Sequence, residues 1–143
     1  MVEALFGTTD ILSKTGPVNP VEATKEAKII AIYFSMHNCP PCRQFTPIFA
    51  ELYNETNADG KVMEVIFCSG DKTKEEYDEY FGEMPWLALP HKDARLASLA
   101  AKFEVRGVPR LIVIKADGTV LEQNGVNKLT MEGPSAIEEY LSK

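Results

Sequence analysis

Cysteine and histidine are scarce in this chain, three of the one and two of the other in 143 residues, and that scarcity excludes much. A structural zinc site needs four nitrogen or sulfur ligands. Here one Cys-x-x-Cys pair is joined only by Cys68, His37 and His91, with no second pair at ligand spacing. A disulfide-stapled scaffold fits no better, because a chain of this length with 45% hydrophobic residues buries a sizeable core without covalent staples. Excess positive charge is missing too. Fifteen basic residues against twenty-one acidic ones leave a formal net charge of −6, which repels nucleic acid and anionic membrane surfaces. No apolar run approaches membrane-spanning length, and the N-terminal Met1-Val2-Glu3-Ala4-Leu5-Phe6-Gly7 carries an acid where an export signal has basic residues. A soluble protein of the cytoplasm is expected, with the nucleus open to so small a chain. Repeats and low-complexity tracts are absent and no boundary is visible, so residues 1–143 read as one domain, an extension over 1–28 and a core over 29–143.

What the chain does have is Cys39-Pro40-Pro41-Cys42. Two intervening residues let the sulfurs reach bonding distance without distorting the backbone, so the pair can close and reopen. A thiol at a helix N-terminus sits beside unpaired backbone N–H groups and the positive end of the helix dipole, which favours thiolate and lowers its pKa below the free value of about 8.5. Prolines stiffen such a turn, and their missing N–H groups cost little there because the first helical donors lack partners anyway. Cys39 is therefore the expected nucleophile and Cys42, one turn deeper, the resolving thiol.

The surroundings fit that placement. Ile29 to Phe34 is a short, continuous β-branched and aromatic run, as expected for a strand covered on both faces. Phe45, Ile48, Phe49, Leu52 and Tyr53 recur at helical spacing and end at the turn Asn57-Ala58-Asp59-Gly60. Val62 to Phe67 reads as a second strand, Glu75 to Phe81 as an amphipathic helix, and about Asp93 to Phe103 as another. Leu111 to Ile114 and Val120-Leu121 form a hairpin about Asp117-Gly118, and a helix from about Pro134 to Leu141 closes the chain. Ahead of these, 20–28 reads as a short polar helix, and 4–18, with Leu5-Phe6, Ile11-Leu12 and Val18 between glycines and a proline, as one or two short strands. The order β-α-β-α implies parallel pairing by crossover.

Three segments together resemble the thioredoxin superfamily, and within it the tryparedoxin and nucleoredoxin branch. They are Tyr33-Phe34-Ser35 with Cys39-Pro40-Pro41-Cys42-Arg43 and Phe45-Thr46-Pro47, then Met84-Pro85-Trp86-Leu87-Ala88, then Phe103-Glu104-Val105-Arg106-Gly107-Val108-Pro109. The resemblance implies a thioredoxin-like α/β fold, a central mixed β-sheet flanked by helices. It implies thiol–disulfide exchange on protein disulfides, with no cofactor beyond the Cys39–Cys42 couple and electrons from a reductase or a small thiol. It further implies that Pro109 is cis, so that Val108 offers its backbone to an extended substrate segment. Pro40, Pro41 and Trp86 are further candidates for the substrate-binding surface, Trp86 weighed against a structural place packed beneath the dithiol.

Two positions depart from the branch. Asn38 stands where it usually has Trp before the first cysteine, which removes an apolar plate from beside the nucleophile; Asn there suits an N-cap. Tyr33 stands where general thioredoxins carry a buried aspartate, so the proton of Cys42 needs another carrier, water or the Tyr33 hydroxyl. His37 and Arg43 are candidates for favouring the thiolate, each weighed against an ordinary solvated side chain. Cys68 reads as a small buried hydrophobe. A redox-gated binding protein, holding a signalling partner under control of the disulfide, is the rival function.

Overall fold

The computed structural model describes residues 2–143. Its elements run α1 (Val2–Phe6), β1 (Ile11–Ser13), β2 (Gly16–Val18), α2 (Pro20–Thr24), β3 (Ile29–Ser35), α3 (Pro40–Thr56), β4 (Met63–Ser69), α4 (Lys74–Gly82), β5 (Leu87–Ala88), α5 (Arg95–Lys102), β6 (Arg110–Lys115), β7 (Val120–Glu122), α6 (Gly125–Glu132) and α7 (Pro134–Leu141). The strands make one mixed sheet in the order β2-β1-β5-β4-β3-β6-β7.

Every residue of β3 and of β4 is buried, which explains why both read as continuous apolar runs rather than alternating ones. They pair in parallel from Ile29↔Met63 to Ser35↔Ser69, joined by the crossover through α3. Asn57 closes that crossover: its side-chain oxygen accepts the N–H groups of Val62 and Met63 at 2.9 and 3.0 Å. β6 runs antiparallel on the other side of β3, so the strand that delivers the dithiol lies at the centre. Asn19 caps α2 through the N–H groups of Val21 and Glu22, and Thr73 caps α4 through that of Glu76, as these residue types do at helix starts.

The sheet separates two cores. Tyr33, Phe67 and Trp86 on one side meet α3, α4, α6 and α7. Ile30, Ile32, Ile66 and Ile112 on the other meet α1 and α5.

The structure corrects the reading of the N-terminal segment in one respect. Ile11 and Val18 do lie in paired strands, but Leu5-Phe6 belong to a helix, because Val2 and Phe6, four apart, are the residues that bury. Two further elements were not anticipated. β5 has only two residues, held between β1 and β4. α6 begins at Gly125, where an added Cβ would stand 2.9 Å from the Leu111 side chain and 3.2 Å from its carbonyl oxygen; the helix approaches β6 so closely that any larger residue there would need Leu111 to shift.

Candidate active site

β3 delivers the chain to the tip of the sheet, and α3 starts there. Cys39 is the N-cap, with extended backbone (φ −140°, ψ 104°), and Pro40 and Pro41 occupy the first helical positions. The expected cap, Asn38, is displaced from that role because the Cys39 sulfur itself accepts the Cys42 N–H at 3.4 Å, while the Cys39 carbonyl accepts the Arg43 N–H at 3.0 Å. Cys39 and Cys42 are paired as a disulfide, Cα atoms 5.2 Å apart. Cys39 is half-buried and Cys42 fully buried, at 0% exposure. Only the outer sulfur can be reached from solvent, and it is the one toward which a backbone N–H points, an arrangement that stabilises negative charge on sulfur.

Facing the dithiol is the loop before β6. The Val108–Pro109 peptide is cis, and the Val108 carbonyl oxygen lies 3.9 Å from the Cys39 sulfur. Pro41 and Pro109 share a groove of about 250 Å³ with Arg110, Leu111, Asn124, Val126 and Asn127. Arg110 is held at its edge, donating to the Gln123 carbonyl and side-chain oxygens at 2.7 and 3.2 Å. The α6 contribution to this groove was hidden in the sequence because the helix itself was.

On the opposite rim the residues before Cys39 are tied to α4 and to the loop that precedes it. The His37 N–H donates to the buried Asp71 carboxylate at 2.6 Å, and the Asn38 amide donates to Glu76. The His37 ring stands edge-on to Tyr80, centroids 5.7 Å apart, with Arg43 Nη1 at 3.0 Å and Glu79 at 3.8 Å. The solvated-loop reading of His37 is thus corrected: the ring is half-buried and engaged with Arg43, Tyr80 and Glu79. Where the branch has an apolar plate, this chain has an amide bound to a carboxylate. Asp71, Glu76 and Glu79 left no signal in the sequence beyond their charge.

Beneath the dithiol is a cluster of buried hydroxyls. Tyr33 Oη and Thr46 Oγ1 are 2.7 Å apart, Thr46 Oγ1 and Tyr80 Oη 2.6 Å, and Tyr80 Oη and Ser35 Oγ 2.7 Å. The Thr46 hydroxyl also reaches the Cys42 carbonyl at 2.9 Å. Burial pushes the Tyr33 phenol well above its usual pKa, so it stays protonated and serves as a donor. Trp86 is corrected as a substrate-binding residue. It is 1% exposed, packed against Tyr33, Phe49 and Tyr53, and an enclosed indole offers a substrate no surface. Cys68 is a free, buried cysteine whose thiol burial pushes up. Among the described residues no cluster of potential metal ligands occurs, and no helix is long and apolar enough to cross a membrane.

Comparison with known proteins agrees with this geometry. A family model described as Thioredoxin-like matches residues 26–120. The chain is 39% identical over 118 residues to a tryparedoxin of Trypanosoma brucei brucei, covering 82% of this chain and 80% of that one. It is 42% identical over 109 residues to a probable nucleoredoxin 1 of Arabidopsis thaliana, covering 76% of this chain but 19% of that protein. The chain spans about a fifth to a quarter of the length of the nucleoredoxins it matches. The solved structure of tryparedoxin from Trypanosoma brucei superposes with a TM-score of 0.81 at 34% identity, covering 93% of this chain and 92% of that one.

Proposed function

The chain belongs to the thioredoxin-like family of oxidoreductases, and on that premise we propose that it reduces disulfides on other proteins through the Cys39–Cys42 couple. The observation that carries this reading is the asymmetry of the pair: a reachable outer sulfur beside a backbone N–H and an enclosed inner one. The Cys39 thiolate attacks one sulfur of a substrate disulfide, forming a mixed disulfide and releasing the first substrate thiol. Cys42 gives up its proton to water and attacks the Cys39 sulfur, the Cys39–Cys42 bond closes, and the second substrate sulfur leaves as a thiolate that takes a proton from water. Val108, beside the Cys39 sulfur, offers its backbone to an extended substrate segment. The groove at Pro41 and Pro109 receives the residues that flank it.

No bound cofactor is needed, since the two electrons reside in the dithiol. They come from a reductase or a small thiol, and the reaction takes place in the cytoplasm, with the nucleus open to it. A helix-terminal Cys39 thiolate goes with a potential of roughly −200 to −270 mV, in the reducing range. The test is turnover of insulin with a chemical dithiol as electron source. Wild type should be active and Cys39→Ser reduced to the uncatalysed background; an inactive wild type would remove the reductase reading.

A second reading, a redox-gated binding protein with one signalling partner, is favoured by the Asn38–Glu76 bridge, which replaces a general apolar contact with a polar, more selective rim. A Cys42→Ser variant separates the two, since it traps mixed disulfides with many proteins in the first case and with one or few in the second.

A further inference from the structure

The turn that carries the dithiol is tied to its own helix by the Arg43 N–H on the Cys39 carbonyl at 3.0 Å, while Pro47, inside α3, supplies no N–H to the Arg43 carbonyl one turn back. The Thr46 hydroxyl adds a side-chain attachment to this turn, donating to the Cys42 carbonyl at 2.9 Å. A threonine that merely satisfied itself on the carbonyl four residues back needs no further partner. This one has two: Tyr33 Oη at 2.7 Å and Tyr80 Oη at 2.6 Å meet on the same oxygen. With its proton on the carbonyl, the Thr46 oxygen must accept from both phenols, and Ser35 then donates to Tyr80 at 2.7 Å. All four side chains are buried, Thr46 at 4% exposure being the least so, and water does not compete strongly for these bonds. Hydroxyls from β3, α3 and α4 therefore converge on the peptide of the inner cysteine.

We propose that Thr46 is a positioning residue for Cys42. By fixing the Cys42 carbonyl to β3 and α4, it holds the buried sulfur on its line of attack toward the Cys39 sulfur. The proposal deepens the exchange chemistry above and rests on it for the roles of the two cysteines.

The test uses reduced protein and oxidised glutathione, which isolates the two sulfur steps without a protein substrate. The Cys39 thiolate attacks one glutathione sulfur, the Cys39–glutathione bond forms, and the first glutathione leaves as thiolate and takes a proton from water. The Cys42 thiol passes its proton to water, its sulfur attacks Cys39, the Cys39–Cys42 bond closes, and the second glutathione leaves. Two electrons pass from the dithiol to the oxidised glutathione. Thr46→Val keeps the shape and removes the hydroxyl. Release of the second glutathione should slow about tenfold, the scale of one lost hydrogen bond in the attacking geometry, while the first step stays within about twofold. Thr46→Ser should restore release to within about twofold of wild type, because the hydroxyl returns. Tyr80→Phe should slow release by itself and add nothing in a Thr46→Val background, where the shared oxygen is already gone.

Release at the wild-type rate in Thr46→Val overturns the proposal. So does a Thr46→Ser variant as slow as Thr46→Val, or equal slowing of both steps, as a general loss of structure produces. If Thr46→Val does not fold, Tyr80→Phe decides alone, and unchanged release in it overturns the proposal. Insulin turnover measured alongside separates the two readings. Wild type inactive on insulin but with release slowed by Thr46→Val removes the reductase reading and keeps the positioning role; the opposite pattern removes the positioning role alone.

Discussion

The two faces of the sheet are built from different chemistry. On the α3 face the core is aromatic, with Tyr33, Phe45, Phe49, Phe67 and Trp86 in mutual ring contact, and it encloses the hydroxyl cluster that reaches the Cys42 carbonyl. On the α5 face the core is mainly aliphatic, led by Ile30, Ile32, Ile66, Leu89 and Ile112, and its polar attachments lie at the rim. There Arg95 pairs with Asp93 at 2.8 Å and donates to the carbonyls of Phe6, Thr9 and Asp10, holding the loop after α1 against α5. Each face also holds a buried cysteine, Cys42 on one and Cys68 on the other. One stands next to the reactive pair's outer sulfur. The other is enclosed by isoleucine, leucine and phenylalanine. The difference teaches that burial by itself does not make a thiol inert; what decides is whether a partner sulfur, itself set at a helix start with an N–H aimed at it, stands beside it.

The sharpest way to break this comparison is alkylation of the reduced protein near neutral pH, read residue by residue by mass spectrometry. Cys39 should react first and Cys68 at least about a thousandfold more slowly, since an enclosed thiol kept protonated reacts only through opening of the structure. Comparable rates at the two would show that the α5 face is not closed. Packing comes next. Trp86→Ala on the aromatic face should cost about 3–5 kcal/mol and Ile32→Val on the aliphatic face about 0.5–1.5 kcal/mol, both read from denaturant midpoints at constant slope. Equal costs would mean that the ring cluster carries no special share of the core.

The smallest effect is the rim pair. The Arg95 guanidinium holds the Asp93 carboxyl below its ordinary pKa. A carboxyl whose folded value lies below its unfolded one stabilises the fold above the unfolded value, about 3.9 for Asp, and loses that contribution as pH falls through the folded value. The stability difference between wild type and Asp93→Asn should therefore be present near pH 7 and shrink below about pH 4. A difference that persists at lower pH would point to Arg95 and its backbone carbonyls instead of the ion pair.

Legibility in the sequence followed how local the cause was. The β3–turn–α3 unit could be read because strand, prolines, cysteines and amphipathic helix lie within 29–56 and each signals its state through neighbours. α6 could not. It starts with a glycine, has no side-chain cap, and buries only Gly125 and Leu129, so its period is too faint to separate from loop. Asn38 suited an N-cap by residue type, yet the sulfur of Cys39 takes that place and Glu76, on another helix, takes the amide. Trp86 can be read from the sequence as packed aromatic or as substrate surface, and the packing of Phe49 and Tyr53 over it decides for the first.

By itself, then, the order of residues determined the dithiol, its place at a helix start and the mixed sheet that carries it, because spacing, prolines and hydrophobic period act over a few residues. The tertiary structure alone decided which sulfur is reachable, that Val108 stands beside Cys39, and that Tyr33, Ser35, Thr46 and Tyr80 share one set of hydrogen bonds. Those outcomes depend on distances between elements far apart in the chain, and such distances arise only when the sheet and helices close on their two cores.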